Sequence, residues 1–131
     1  MIGLDTNVLV RYIMQDDARQ AAMATRLMEA LTAEEPGFIS LVSIVELVWV
    51  LGSAYGLKRE QVAQSLEGLL RAKEVVVDRA ELVSNATRLY KSAAVDFADC
   101  LIHMTAQSAG CEKTMTFDKT AAQSAGMTLI R

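Results

Sequence analysis

The fold is decided at residues 1–12, where the sequence reads MIGLDTNVLVRY. A short apolar run from Met1 to Leu4 is followed at once by Asp5, and the apolar residues beyond it recur at helical spacing. This pattern predicts a strand that passes directly into a helix, as at the start of a βαβ unit. Asp5 would then lie at the carboxyl end of a strand, the edge at which open parallel sheets bind ligands.

The same alternation of short strands and longer helical segments continues along the chain. Strands are predicted at Met1 to Leu4, Gly37 to Leu41, Glu74 to Val77, Lys113 to Phe117 and Thr128 to Ile130. Between them, apolar residues at helical spacing predict helices that face a core. We therefore expect an α/β fold with three α/β/α layers, a central, mainly parallel five-stranded sheet, and one domain over residues 1–131.

The composition is that of a folded, non-membrane protein. The chain has 131 residues, of which 52% are hydrophobic and 22% charged, and its formal charge is −3. This excludes a disordered protein, and no apolar run approaches the ~20 residues of a membrane span. Cys100 and Cys111 lack C-x-x-C spacing and are expected to be reduced thiols in the cytoplasm, with no zinc site. The acidic charge is at odds with the basic surface that a nucleic-acid partner usually requires.

Four carboxylates stand where a strand ends or a helix begins. They are Asp5, Glu46, Asp99 and Asp118. Carboxylates that converge at one sheet edge repel one another unless some are protonated or a cation neutralises them. Oxygen ligands without His or Cys favour Mg²⁺ or Mn²⁺, and such ions activate water for the hydrolysis of phosphodiesters. The four acids therefore predict the site of a metal-dependent nuclease.

Each acid also has a purely structural interpretation. Asp5, Asp96 and Asp118 each stand where a helix N-cap is expected. Ser43 and Glu46 have the spacing of a capping box, in which the glutamate bonds back to the serine amide. Against capping at Glu46 stands its apolar surroundings, because a buried unpaired carboxylate costs several kcal/mol unless a metal neutralises it.

Other polar and aromatic residues carry weaker signals. His103, four residues after Asp99, is interpreted as a packed or exposed helix residue. Seven of the 13 basic residues fall within positions 58–91, either as solvated helix faces or as an RNA-contacting face. The aromatic content is 5%, and most rings are expected to be buried, so no base-stacking surface is predicted.

Four blocks of this sequence together resemble the PIN-domain ribonucleases, specifically VapC-like toxins. The blocks are residues 1–12, 43–51, 96–102 and 116–119, in the family's order and spacing. By this resemblance the family's acids fall on Asp5, Glu46, Asp99 and Asp118. Asn7, Ser43 and Thr116 fall where the family places polar residues that orient those acids. Whether Asp96 and Asp118 contact the metal directly is left open.

The resemblance implies a Mg²⁺-dependent endoribonuclease, with Mn²⁺ possible, that acts as the toxin of a toxin–antitoxin pair and cleaves single-stranded or loop regions of RNA. It implies a VapB-like antitoxin whose C-terminal segment blocks the site and whose N-terminal part binds operator DNA. It also implies a homodimer, for which the apolar helix around Trp49 and the seven methionines offer contact surface.

Two alternatives remain beside the toxin. One is a catalytically silent PIN-fold binding module that acts through an antitoxin and DNA. The other is a receiver-like signalling domain with Asp78 after a central strand, which is disfavoured because no lysine follows the last predicted strand.

Overall fold

The computed structural model describes the whole chain, Met1–Arg131, as an α/β protein. Its strands are β1 (Ile2–Gly3), β2 (Gly37–Ile39), β3 (Val75–Val77), β4 (Met115–Thr116) and β5 (Thr128–Leu129). Its helices are α1 (Thr6–Met14), α2 (Ala18–Ala30), α3 (Leu41–Ser53), α4 (Arg59–Arg71), α5 (Ala80–Ser92), α6 (Phe97–Ser108) and α7 (Lys119–Ser124). None of these helices is long and apolar enough to cross a membrane.

The chain divides into two compact units, Met1–Ala80 and Glu81–Arg131. The first unit contains a parallel sheet in the order β1-β2-β3, with helix pairs between successive strands. Two backbone hydrogen bonds continue the ladders beyond the strands, from Leu4 N–H to Phe38 O (2.8 Å) and from Asp78 N–H to Ile39 O (2.9 Å). Asp5 and Asp78 therefore lie at the carboxyl edge of this sheet.

Aliphatic side chains from the sheet and from α1, α3 and α4 fill the core of the first unit. The fully buried members include Leu9, Ile39, Ile44, Leu47, Leu51 and Leu66. Gly37 lies where β2 meets this core, and a Cβ there would stand only 2.7 Å from Leu4 Cδ1 and 2.8 Å from Leu31 Cδ1. The position excludes a side chain unless those two leucines move.

The second unit contains the parallel pair β4-β5 together with α6, α7 and nearly all of α5. The Tyr90 and Phe97 rings meet edge to face, 5.8 Å apart, and join α5 to the start of α6. Gly126 adopts φ +89° beside the His103 ring, where a Cβ would stand 3.0 Å from Nε2. That conformation and that close approach both favour glycine.

The α/β class and the position of every predicted strand are confirmed. The single five-stranded sheet is not confirmed, because the strands form one sheet of three and one of two. The strands are two or three residues long, shorter than predicted. An apolar run in the sequence marks a strand's position, but its length depends on how many ladder hydrogen bonds the partner strand completes.

The predicted start of α3 is wrong. The strand was expected to reach Leu41 with Ser43 capping the helix, but β2 ends at Ile39 and α3 begins at Leu41. Ser40 is the N-cap, with extended backbone angles and an Oγ that accepts the Ser43 N–H (3.1 Å). Ser43 is already helical and cannot occupy the N-cap position, so the capping box with Glu46 does not form.

The expected burial of Glu46 is also wrong. Ile44, Leu47 and Leu51 form the buried face of α3, whereas Glu46 is exposed. Val42, Glu46 and Trp49, spaced four and three residues apart, share the outward face of the helix. The helix is apolar in composition because both of its faces carry apolar side chains, not because it is buried all round.

Candidate metal-binding acids

Asp5 connects β1 to α1 at the carboxyl edge of the three-stranded sheet. Its backbone is extended, and its Oδ1 accepts the Thr6 N–H (2.8 Å), so Asp5 is the N-cap of α1. The Asp5 side chain remains exposed to solvent. Capping and a functional role are compatible here, because the cap holds the carboxylate in one orientation at the edge where ligands bind.

Thr6 joins Asp5 to Glu46, a link that was not predicted. The Thr6 side chain is buried, and its Oγ1 donates a hydrogen bond of 2.8 Å to Glu46 Oε1. Glu46 on α3 is thereby oriented by the residue that follows Asp5 on α1. The available sequence signal was a hydroxyl residue next to an acid at a helix start, which is too common to stand out.

The other polar residues of the first unit have different partners from those expected. The Ser43 hydroxyl bonds with that of Ser40 (3.2 Å), and Asn7 is exposed at the start of α1. Their predicted role in orienting the acids stays a prediction. Asp78, considered only for the receiver alternative, accepts the Leu41 N–H through Oδ2 (3.4 Å) and adds a carboxylate to the same sheet edge.

In the second unit, Asp96 and Asp118 are near enough to Asp99 for their charges to affect its ionisation. Partial burial raises the pKa of the Asp99 carboxyl above its ordinary value, and the negative charges of Asp96 and Asp118 raise it further. Asp99 projects from the first turn of α6. Asp96 occupies the N-cap position of that helix as expected, but its side chain makes no capping hydrogen bond. Asp99 and Asp118 are thus brought together, with Asp96 beside them.

Asp118 is held by hydrogen bonds on both sides. Its N–H donates to Thr116 Oγ1 (3.0 Å), and its Oδ1 accepts from the N–H groups of Thr120 (2.8 Å) and Ala121 (3.1 Å). The predicted N-cap of α7 is therefore present, and Thr116 fixes the backbone of Asp118. This contact is to the backbone of Asp118, and the predicted role of Thr116 in orienting the carboxylate stays a prediction.

His103 makes its described contacts outside this group of carboxylates. Its Nδ1 lies 3.3 Å from Thr114 Oγ1, and the ring packs against Gly126. The imidazole therefore joins α6 to the β4-β5 region within the second unit, which agrees with its interpretation as a packed helix residue. Five of the seven basic residues at 58–91 belong to the first unit and two, Arg88 and Lys91, to the second, and their contact with RNA stays a prediction.

A groove of about 470 Å³ runs between α1 and α2 in the first unit. Its lining is mostly apolar and consists of Asn7, Val8, Arg11, Gln20, Met23, Ala24 and Leu27. Arg11 donates to Gln20 Oε1 (2.7 Å) and forms an ion pair with Asp16 (3.1 Å), so the guanidinium among the lining residues is held in place.

The donor chemistry fits a hard divalent cation. All four predicted ligands are carboxylates, and partial burial followed by the charges of Asp96 and Asp118 raises the pKa of Asp99, so its surroundings oppose its ionisation. A bound cation would relieve that repulsion. Neither unit by itself holds three or more His, Cys, Asp or Glu in an arrangement suited to a metal ion. Coordination by all four acids stays a prediction.

Comparisons with known proteins match the chain to a protein family and to a named ribonuclease. The family model described as "PIN domain" matches residues 2–126. The chain is also 25% identical over 116 residues to a protein named "VapC ribonuclease" from Aquifex aeolicus (strain VF5), covering 88% of this chain and 86% of that relative. No solved structure matches the chain.

Proposed function

This chain belongs to the PIN domain family, and from that premise we propose that it is a metal-dependent endoribonuclease, the toxin of a VapBC-type toxin–antitoxin pair. The observation that carries the proposal is the setting of Asp99, whose pKa is raised by partial burial and further by the charges of Asp96 and Asp118. Like charges that act on one carboxyl weaken a metal-free fold at neutral pH, and a bound cation would relieve their repulsion. The likeness to the ribonuclease of Aquifex aeolicus supports the RNA substrate.

Asp5, Glu46, Asp99 and Asp118 are the proposed ligands of Mg²⁺ or Mn²⁺. When bound, such an ion supplies the positive charge that activates water and neutralises the phosphodiester during hydrolysis. The protein's part is to hold the carboxylates in place. Thr6 orients Glu46, and the two N–H groups at the start of α7 orient Asp118. Fixed ligands lose little conformational freedom when the site is formed.

Family membership also supports a proposal about the arrangement of the sheets. We propose that the two sheets act as one five-stranded sheet within a three-layer α/β/α domain that spans residues 1–131. Neither Cys100 nor Cys111 forms a disulfide, which suits the reducing cytoplasm as the compartment.

A VapB-like antitoxin is the proposed protein partner, and operator DNA is bound only through it. The groove between α1 and α2 suits the antitoxin's C-terminal segment, because it is mostly apolar, begins beside Asn7 and has Arg11 in its lining. We also propose a homodimer. Its contact is not assigned to the outward face of α3, because covering Trp49 there would also bury the carboxylate of Glu46.

Purified protein, freed of any antitoxin, tests the function when it is incubated with total RNA and Mg²⁺. We expect cleavage that stops with excess chelator and in Asp99→Asn. Glu29→Gln, which removes an exposed carboxylate of α2 away from the acids, is the matched control and should cleave like the unaltered protein.

Cleavage that persists in Asp99→Asn or in chelator would contradict the assignment. If no RNA is cleaved while the protein still binds an antitoxin and, through it, DNA, the catalytically silent binding module is the better description.

A further inference from the structure

Two aromatic rings are widely exposed, and each adjoins one of the proposed catalytic acids. The chain has seven aromatic residues, and the most exposed are Phe117 at 80% and Trp49 at 68%, followed by Tyr12 at 37%. Trp49 stands one turn beyond Glu46 on α3, and Phe117 immediately precedes Asp118. This contradicts the expectation that the sequence offers no base-stacking surface.

The exposed ring of Phe117 stands on a fixed piece of backbone. The residue before it, Thr116, accepts the N–H of the residue after it, Asp118, and Asp118 in turn caps α7. The ring is therefore presented by a turn whose two neighbours are already hydrogen-bonded. An aromatic side chain held in this way loses little entropy when a flat ligand covers it.

Trp49 is presented by a different element but in a similar setting. Its neighbours on the outward face of α3 are Val42 and Glu46, and the Glu46 carboxylate is held by Thr6. The indole thus lies beside a carboxylate whose position is fixed.

The adjoining carboxylates decide which kind of ligand suits the two rings. A protein surface that covered either ring would also cover Glu46 or Asp118 and would have to pay for an unpaired buried charge. A single nucleotide differs, because its base is a flat apolar surface and its phosphate is the group that a cation on those carboxylates attracts. A base can cover the ring while the carboxylate keeps its ion.

We propose that unpaired nucleobases of the RNA substrate stack on Trp49 and on Phe117, each next to its own acid. This rests on the proposed ribonuclease function and extends it to substrate contacts. Bases within a duplex are stacked on each other and do not offer a free face, so the two rings select single-stranded RNA. A phenyl ring has no hydrogen-bonding group, so Phe117 accepts any base.

Binding measured without cleavage tests this proposal. The full chain carrying Asp99→Asn is titrated in Mg²⁺ with a short single-stranded RNA, the corresponding duplex, and an abasic strand of the same length. We expect preference for the single strand with bases. Trp49→Leu and Phe117→Leu should each weaken single-strand binding by about 5- to 100-fold, as expected for the loss of one stacked base.

Conservative variants separate stacking from a structural effect. Trp49→Phe and Phe117→Tyr keep a flat ring and should bind within about threefold of the parent, whereas leucine keeps only the apolar character. Tyr12→Leu removes an exposed ring that adjoins none of the four acids and is the matched control. Trp49 is the only tryptophan, so quenching of its fluorescence by RNA reports directly on stacking at that ring.

Three results would overturn the proposal. These are equal affinity of the leucine variants and their parent, equal binding of abasic and normal RNA, and no RNA binding at all. A shift of sedimentation from dimer to monomer in Trp49→Leu would instead assign that ring to a second copy of the chain. If the protein cleaves RNA and the leucine variants bind RNA as tightly as their parent, only the stacking proposal fails. If RNA quenches the fluorescence of Trp49 but the unaltered protein does not cleave RNA, only the proposed nuclease function fails.

Discussion

A single buried residue, Thr6, bonds to two of the proposed metal ligands. Thr6 follows Asp5, caps nothing with its own side chain, and donates to Glu46 across from α1 to α3. Thr6 alone thus orients both proposed ligands of the first unit, Asp5 through its backbone N–H and Glu46 through its hydroxyl. A site held by such short links is sensitive to small changes in the residue beside the acid.

Thr6→Val keeps the shape of the side chain and removes the donor to Glu46. We expect RNA cleavage to fall by about 10-fold, because the Glu46 carboxylate loses the bond that orients it. The free energy of unfolding should change by only about 1 kcal/mol, since Glu46 is exposed and water replaces the donor. Cleavage rates and urea unfolding measure the two effects, and Thr6→Ser is the control that should retain activity.

Asp99 predicts a specific dependence of stability on pH. Its pKa in the folded protein is raised, so the folded state disfavours its ionised form. This ionisation lowers the free energy of unfolding above the folded pKa and has no effect below the ordinary value of 3.8. Asp99→Asn should therefore raise the Tm of the metal-free protein at neutral pH, by about 1 to 3 °C. The gain should disappear in acid below that ordinary value.

Circular dichroism melts at the two pH values check this expectation. Glu112→Gln, an exposed acid of the same unit, should leave the Tm unchanged at both. A lower Tm for Asp99→Asn at neutral pH would mean that Asp99 stabilises the metal-free fold and is not repelled by its neighbours.

At the scale of elements, the start of α3 determines where Glu46 points. The helix begins three residues earlier than the sequence suggested because Ser40, not Ser43, has the extended backbone of an N-cap and bonds the Ser43 N–H. This start directs Ile44, Leu47 and Leu51 into the core and turns Glu46 and Trp49 outward. One cap therefore sets the orientation of both a proposed ligand and a proposed stacking ring.

Ser40→Ala removes this cap and should lower the free energy of unfolding by about 1 kcal/mol, because an N–H at the first turn of α3 loses its partner. Equilibrium unfolding in urea measures the change. Ser40→Asp, which also caps helices well, should recover most of the stability. If Ser40→Ala is neutral, the cap proposed for α3 is not the one that stabilises it.

At the scale of the whole molecule, the distribution of charge reconciles an acidic protein with RNA. The chain has 13 basic and 16 acidic side chains, and setting aside the four proposed ligands leaves 13 basic against 12 acidic. The excess of negative charge thus belongs to the proposed site. Without a cation, these carboxylates repel the phosphates of a substrate.

Metal removal should therefore weaken RNA binding as well as abolish cleavage. Chelator-treated protein is expected to bind single-stranded RNA at least about 10-fold more weakly than protein in Mg²⁺, as judged by fluorescence anisotropy at constant ionic strength. Replacing all four acids by Asn or Gln should remove most of this dependence on Mg²⁺. Equal affinity with and without Mg²⁺ would contradict the proposed role of the acids.

Much of this molecule follows from local patterns. Strand positions, the cap at Asp118 and the N-terminal position of Asp96 depend on residues close together in sequence, and each is confirmed. The predictions that were wrong, the capping box at Ser43 and the burial of Glu46, required knowing which residue first turns helical. Ser40 decides that by capping α3, and the spacing of Ser43 and Glu46 alone pointed to a different cap.

The sequence by itself determined the α/β class, the order of the elements and the choice of candidate acids, because apolar periodicity and the short blocks around Asp5, Glu46, Asp99 and Asp118 are local properties. Only the tertiary structure decided that Thr6 holds Glu46, that burial together with Asp96 and Asp118 raises the pKa of Asp99, and that Trp49 and Phe117 face solvent. These depend on which residues distant in sequence meet, and proximity in space arises from packing rather than from spacing along the chain.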